Sequence, residues 1–490
     1  MAFLAAVALY DRLTDRPPTY EPVSGTTALD TGDLPWETAP DPRPASCGGL
    51  PAKWLVIDWD AAEWDILLPL LERGEMPHLE ALLRRASYGS LATFLPTISP
   101  AIWTTIATGV PPDQHGIRHF YNQRPRLARW WNRIVNLGRL ERRLYSNAHR
   151  RAPAIWNLLS ERDEPVMVVG YHNTFPVEEV EGLMVSNYLA QDSVSTLLDM
   201  KKGELGDDAD LSSSLVYPPE KLADVLEIHQ RLMDELPRAV RDFVAIDDED
   251  ELRDFLRKAQ HLDPEGDQRP YFLTRAWLYD QVAAEVAETF YERLDPTLAI
   301  VHFQSLDWAA HHFLYFDRPE GFEKFGWDEA TYARLDSQIP LYEDTVVAFH
   351  RYADEWLGRL VALTDESTGI LIVSDHGTGP GPDPDLPGFH DDAPPGVIVL
   401  SGPGIRSGHR VEGATIYDVL PTLMASLDAP VAKDLPGRVL QEVFCPTAWA
   451  PQDQISIASY REGEAFAPPI SAPTLRQDVA RELESLGYLD

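Results

Sequence analysis

Short apolar runs alternate with amphipathic stretches along most of the chain. Lys53–Asp58 (KWLVID) has the uninterrupted apolar character of a strand buried on both faces, and Asp60 lies just past its C-terminal end. Two helical patterns follow, EWDILLPLLERG closed by Gly74 and MPHLEALLRRAS with Pro77 near its start. SLATFL at Ser90–Leu95 predicts a second strand. PVMVVG, Leu183–Ser186, Leu298–Phe303, Gly369–Ser374 and Val397–Leu400 predict further strands. Helices are expected around Leu278–Leu294, Leu341–Leu363 and Tyr417–Leu427. This alternation predicts an α/β fold, a mainly parallel central sheet with helices on both faces. Sites in such sheets gather outside the C-terminal strand ends, and Asp60, Ser99, Asp307, Asp375 and His376 all lie at or beyond a strand end.

The pattern divides the chain into three parts. Residues 1–52 join an apolar start, MAFLAAVALY, to an extended segment rich in Pro, Thr, Asp and Gly. Residues 53–450 form the expected catalytic domain, with an insertion over roughly 120–295 read as a largely helical cap. Residues 451–490 form a tail that ends in the helical pattern RQDVARELESLGYLD. The apolar start is shorter than the roughly 20 residues that span a bilayer, and it lacks the basic region and cleavage site of a signal peptide. Membrane association through the N-terminus therefore stays open. A periplasmic, extracellular or membrane-anchored location is favoured over a cytoplasmic one.

Charge narrows the partners. With 490 residues and 44% hydrophobic content the chain can bury a large core, yet its formal net charge is −36. Such a surface repels nucleic acid and anionic membranes. It repels anionic substrates too, so phosphate chemistry here calls for metal cations that reverse the local field. The Arg- and Trp-rich segment RPRLARWWNRIVNLGRLERRLY stands out against this background; it reads as a substrate entrance, a partner surface or a solvated helix. Two cysteines, Cys47 and Cys445, allow at most one bridge, and neither lies near the polar motifs.

Those motifs begin with LPTISPAIWTTIATGVPPDQHGI at Leu95–Ile117. Ser99 stands where a helix N-cap belongs, Pro100 follows at the first helical position, and Gly109 ends the helix. A serine so placed is expected among unpaired backbone N–H groups at the positive end of a helix, where a phosphate can be held. Taken alone it reads as a cap. In DWAAH, Asp307 and His311 are spaced i, i+4 and share a helix face, a pairing of carboxylate and imidazole that suits a Zn²⁺-type ion. His312 points to another face. Asp375 and His376 follow an apolar strand directly, ahead of Gly377, and His390 sits in the loop GFHDD.

Together, IDWDAAEWD, PTISPAIWTTIATGVPPDQHGI, DWAAHH, IVSDHG and GFHDDAPPGVIVLSGPGI resemble the alkaline phosphatase superfamily, in its type I phosphodiesterase/nucleotide pyrophosphatase-like branch. The resemblance implies two divalent metal ions, Zn²⁺ foremost with Mn²⁺ or Fe as alternatives. One would be held by Asp307, His311 and His390. The other would be held by Asp60, Asp375 and His376, with the Ser99 hydroxyl completing it; Asp58 falls where the family carries glycine. Ser99 takes the nucleophile position and would form a covalent phospho-intermediate on a small-molecule phosphate ester, a phosphodiester or pyrophosphate. The family's usual nucleophile is threonine, and its phosphoryl-holding asparagine is replaced here by Ile102. Arg118, His119 and Asn173 are candidate substitutes for that donor. SPAIW lacks the sulfatase arrangement C/S-x-P-x-R. A phosphomonoesterase, a phosphonate hydrolase or a phospho-head-group transferase would use the same machinery, and a catalytically silent binding protein would keep the fold while losing ligands.

Overall fold

A computed structural model of the protein describes residues 21–22, 47–122, 143–187, 215–260, 266–390, 394–461 and 466. The N-terminal apolar run, most of the Arg- and Trp-rich segment and the C-terminal helical pattern lie outside these residues.

Among the described residues, nine strands form one sheet. In chain order they are β1 (Lys53–Trp59), β2 (Ala86–Ala92), β3 (Val166–Val169), β4 (Gly182–Val185), β5 (Val216–Tyr217), β6 (Leu298–Phe303), β7 (Thr368–Val373), β8 (Gly396–Ser401) and β9 (His409–Thr415). Their spatial order is β9-β2-β8-β7-β1-β6-β3-β4-β5. The central run from β7 to β4 is parallel throughout. β8 is antiparallel to both β7 and β2, so β2 points the same way as the central strands, and β9 is parallel to β2. Only β8 and β5 of this sheet run in reverse. The mainly parallel sheet is what the sequence predicts.

The apolar runs are continuous because both faces are covered. Along β1, Leu55, Ile57 and Trp59 enter one apolar cluster while Trp54 and Val56 enter the other, as the period of two in a strand requires. The first cluster is completed by helices α1 (Trp64–Glu72), α2 (Pro77–Leu83), α6 (Arg269–Leu294), α7 (Ser305–Asp317) and α8 (Thr345–Ala362). The second takes α3 (Ser99–Thr108), α4 (Ile155–Ser160) and α9 (Val419–Ser426). α5 (Leu222–Ala239) packs on the outside of α6.

Several boundaries differ from expectation. The strand predicted at Ser90–Leu95 starts at Ala86 and stops at Ala92; Phe94–Leu95 instead pairs with Glu21–Pro22. α6 starts well before Leu278, with Pro270 in its first turn, where the missing N–H is harmless. The predicted Leu341–Leu363 helix is split into Ile339–Tyr342 and α8. Within residues 120–295 the strands predicted at PVMVVG and Leu183–Ser186 form β3 and β4, and the two-residue β5, which the sequence does not predict, pairs with β4 at the edge of the sheet.

Cys47 and Cys445 form a disulfide with Cα atoms 5.6 Å apart, tying the residues before β1 to those after α9. Among the described residues no helix is long and apolar enough to cross a membrane.

Candidate active site

The shared strand direction brings the C-terminal ends of β1, β2, β3, β6 and β7 to one edge. Asp60 follows β1, Ser99 opens α3 after β2, and His172 and Asn173 follow β3. Asp307 lies in the first turn of α7 after β6, and Asp375 and His376 follow β7. β8 runs in reverse, so the loop before it returns His390 to the same edge. Ser99, Asp60, Asp307, His311, Asp375, His376 and His390 are all buried.

One group is Asp307, His311 and His390, whose ligand atoms lie within 4.8 Å of one another. His311 Nε2 is 3.4 Å from Asp307 Oδ1, one helical turn away as the i, i+4 spacing predicts. Each ring is oriented by its other nitrogen. His311 Nδ1 donates to the Gly388 carbonyl at 2.9 Å. Thr97 Oγ1 donates to the His390 carbonyl at 2.9 Å, which leaves its oxygen to accept from His390 Nδ1, also at 2.9 Å. Both Nε2 lone pairs are thereby turned inward, the second-shell arrangement typical of metal-ligating histidines. Burial pushes His311 down to about 4, and burial with His376 and His311 alongside pushes His390 well below the usual histidine range. Gly388 is required at its position, since a Cβ there would stand 2.2 Å from the Ala310 carbonyl oxygen on α7.

The other group is Asp60, Asp375, His376 and Ser99. His376 Nδ1 donates to the Gly377 carbonyl at 2.9 Å, so Nε2 faces the site. That Nε2 lies 3.2 Å from Ser99 Oγ, 3.3 Å from Asp375 Oδ2 and 3.6 Å from Asp60 Oδ1. Asp60, Asp307 and His376 also converge within 4.8 Å, so the two groups adjoin. His376 and His390 stack with ring centroids 4.4 Å apart.

Three carboxylates, Asp60, Asp307 and Asp375, share this buried space. Burial, with Asp60 and Asp307 facing it, raises Asp375 well above the usual carboxylate range. Burial works the same way on Asp60, but His172, His376 and His302 around it hold it well below that range. Asp60 Oδ1 and Asp375 Oδ2 are buried with no hydrogen-bond partner among the described residues. Buried carboxyl oxygens without donors are costly, and a cation that meets them removes that cost and favours the ionised form. Inward-facing imidazoles and carboxylates supply the donor set of borderline divalent ions, so these residues fit the two metals that the resemblance implies.

The N-cap expectation for Ser99 is corrected. The N-cap is Ile98, without a side-chain cap bond, and Ser99 is the first helical residue. Its hydroxyl is therefore directed at His376 instead of the helix backbone. The expected cluster of unpaired amides is also reduced. Pro100 has none, and the N–H groups of Ala101 and Ile102 both donate to the Ile98 carbonyl.

The suggested substrate contacts scatter. Ile102 is fully buried in the apolar cluster below α3 and offers no polar atom. Arg118 pairs with Asp113 at 2.8 Å. His119 Nδ1 accepts the Phe120 N–H at 2.9 Å, and burial pushes the ring down to about 4. Asn173, in the left-handed region at φ 59°, donates from Nδ2 to the Pro100 carbonyl at 3.0 Å and to Thr104 Oγ1 at 3.2 Å. Asn173 thereby ties the loop after β3 to the first turn of α3.

Sequence reasoning passed over His172, His302, Trp103 and Thr97. His302 interrupts the apolar run LAIVHF, and a buried polar residue inside such a run was the available signal. It stands in register with Asp58 on β1, and its Nδ1 is 3.3 Å from Asp58 Oδ2. Burial, with His172 next to it, pushes His302 down to about 3.

The sequence matches the type I phosphodiesterase/nucleotide pyrophosphatase family over residues 54–395. A comparison with curated proteins finds no match. Among solved structures, the chain is similar to phosphonoacetate hydrolase from Sinorhizobium meliloti 1021, solved with phosphonoformate. Identity is 14%, coverage is 68% of this chain and 58% of that one, and the TM-score is 0.36. The chain thus spans less than two thirds of that protein's length. Murine ectonucleotide pyrophosphatase/phosphodiesterase 5 shares 10% identity over 80% of this chain and 100% of that one, with a TM-score of 0.45. A putative sulfatase from Bacteroides thetaiotaomicron VPI-5482 shares 13% identity over 80% and 74%, with a TM-score of 0.43. With its family match covering residues 54–395 of 490, the protein belongs to the type I phosphodiesterase/nucleotide pyrophosphatase family.

Proposed function

We propose that the protein is a metal-dependent phosphohydrolase that cleaves a phosphodiester or pyrophosphate through a covalent phosphoserine at Ser99. The observation that carries this reading is the convergence of Ser99 Oγ, three histidine Nε2 atoms and three carboxylates at one buried sheet edge. Asp307, His311 and His390 would hold one divalent cation, and Asp60, Asp375, His376 and Ser99 the other, with Zn²⁺ favoured by the mixed N and O donors. Such ions supply Lewis acidity, lowering the pKa of a hydroxyl and drawing charge from phosphoryl oxygens.

The chain's own contribution is placement. Ser99 Oγ forms a bond to phosphorus while the ester or anhydride oxygen leaves and takes up a proton. Water then breaks the bond between Ser99 and phosphorus, releasing the phosphate product and restoring the hydroxyl. Thr97, Gly388 and Gly377 hold the three imidazoles in the orientation this requires. The single disulfide favours an oxidising compartment for this activity.

The test is hydrolysis of chromogenic phosphate monoesters and diesters by metal-analysed protein, with and without chelator and with Ser99→Ala as control. Diester turnover abolished by both treatments is the expected result. Monoester preference would shift the substrate class, and turnover that survives Ser99→Ala would overturn the phosphoserine step.

A further inference from the structure

Beside the active site lie two buried histidines that the proposed reaction does not use, His172 and His302, both facing the shared carboxylate of Asp60. His172 Nε2 is 3.4 Å and His302 Nε2 3.8 Å from Asp60 Oδ2, and the three atoms lie within 4.8 Å of one another. All three residues are at most 5% exposed. Neither His172 Nε2 nor His302 Nε2 has a hydrogen-bond partner among the described residues. These separations exceed those of ordinary N–H···O bonds. They match ligand atoms arranged about a shared ion, since bonds of about 2.1 Å in a tetrahedron put neighbouring ligand atoms about 3.4 Å apart.

We propose that Asp60, His172 and His302 form a third cation site, selective for a borderline divalent ion such as Zn²⁺ or Co²⁺. Two imidazoles and one carboxylate are the donor set such ions prefer, whereas Mg²⁺ prefers oxygen. The surroundings are built to hold these donors. Asp58, paired in register with His302, lies against its Nδ1 and completes a carboxylate–histidine pair behind the ligand nitrogen. Trp103 Nε1 donates to Asp60 Oδ2 at 3.0 Å, and the Trp103 ring meets the His302 ring edge-on at 4.7 Å between centroids. Asp60 thereby divides its carboxylate. Oδ1 faces His376 in the active site, and Oδ2 faces His172 and His302. The inference rests on the two-ion reading only in sharing Asp60, and an ion here would set the charge and orientation of that shared ligand.

Metal content decides it. The full chain is loaded with Zn²⁺, freed of excess by gel filtration and measured by plasma mass spectrometry. Three equivalents are expected for the unmodified protein and two for His172→Ala and for His302→Ala, with His390→Ala losing its equivalent independently. The double variant His302→Ala/His390→Ala should hold one. Unchanged content in both His172→Ala and His302→Ala overturns the third site. Unchanged content in His390→Ala and Asp307→Ala instead counts against the two-ion reading, so the two failures are distinguishable. Because loss of a buried histidine can disturb the core, Co²⁺ titration of the unmodified protein followed by visible absorption gives an independent reading. A break at three equivalents supports the site, and a break at two overturns it.

Discussion

Ser99 Oγ lies 3.2 Å from His376 Nε2, although 277 positions separate the two in the chain. The contact exists because β2 and β7 point the same way with the reversed β8 between them, so their C-terminal ends open on one edge. The imidazole has no freedom to turn away, since its Nδ1 is committed to the Gly377 carbonyl.

Ser99→Ala should remove the nucleophile and leave the fold. Ile98 is the N-cap, so no cap is lost, and the stability cost should stay within about 1 kcal/mol, the worth of one hydrogen bond. Turnover should fall by roughly 10⁴-fold or more. Paired thermal melts and activity assays check both halves, and an active variant would sink the role assigned to Ser99.

Thr97→Val should free the His390 ring. The hydroxyl that accepts from Nδ1 disappears while side-chain shape is kept. Losing such an orienting partner costs about 10–100-fold in metal affinity, read by competition with a chromogenic chelator. An unchanged affinity would show that the loop alone orients His390.

Gly388→Ala should damage the same site through the backbone. Its Cβ would meet the Ala310 carbonyl oxygen at 2.2 Å, forcing the loop off α7. His311 Nδ1 would lose the Gly388 carbonyl, and His390 would move with the loop. A loss of about 1–3 kcal/mol is expected, together with weaker metal binding. Urea unfolding and metal analysis of the same samples test it.

Acid should destabilise the metal-free protein partly through His115, away from the metal ligands. Burial, with Arg150 and Arg118 nearby, pushes this histidine down to about 3. The unfolded residue titrates near 6.5. Between those values the unfolded chain takes up a proton that the folded one refuses, so stability falls as pH drops, by about 1.4 kcal/mol per unit. His115→Gln should lose less stability between pH 6.5 and 4 than the unmodified protein. Equal losses in urea midpoints would assign the acid sensitivity elsewhere.

Much of the fold is legible in one dimension because a parallel sheet covered on both faces demands continuous apolar runs, and KWLVID, LAIVHF and GILIVS are such runs. Boundaries are less legible. Ala86–Gly89 joins β2 through pairing with β8 and β9, a long-range cause that its own composition does not announce. The short edge strand Val216–Tyr217 has a similar long-range cause, its antiparallel pairing with β4.

The sequence by itself determined the strand-ending polar residues Asp60, Ser99, Asp307, Asp375 and His376 and the one-turn spacing of Asp307 and His311. A polar group at the end of a buried run has few places to go, and helical spacing is local geometry. Only the tertiary structure decided that the Ser99 hydroxyl faces His376 instead of capping α3, and that Thr97 and Gly388 turn two imidazoles inward. It likewise decided that His302 meets Asp58 across two strands and, with His172, surrounds the far oxygen of Asp60. Those relations depend on register and side-chain direction between segments distant in the chain, and packing against the whole core is what sets both.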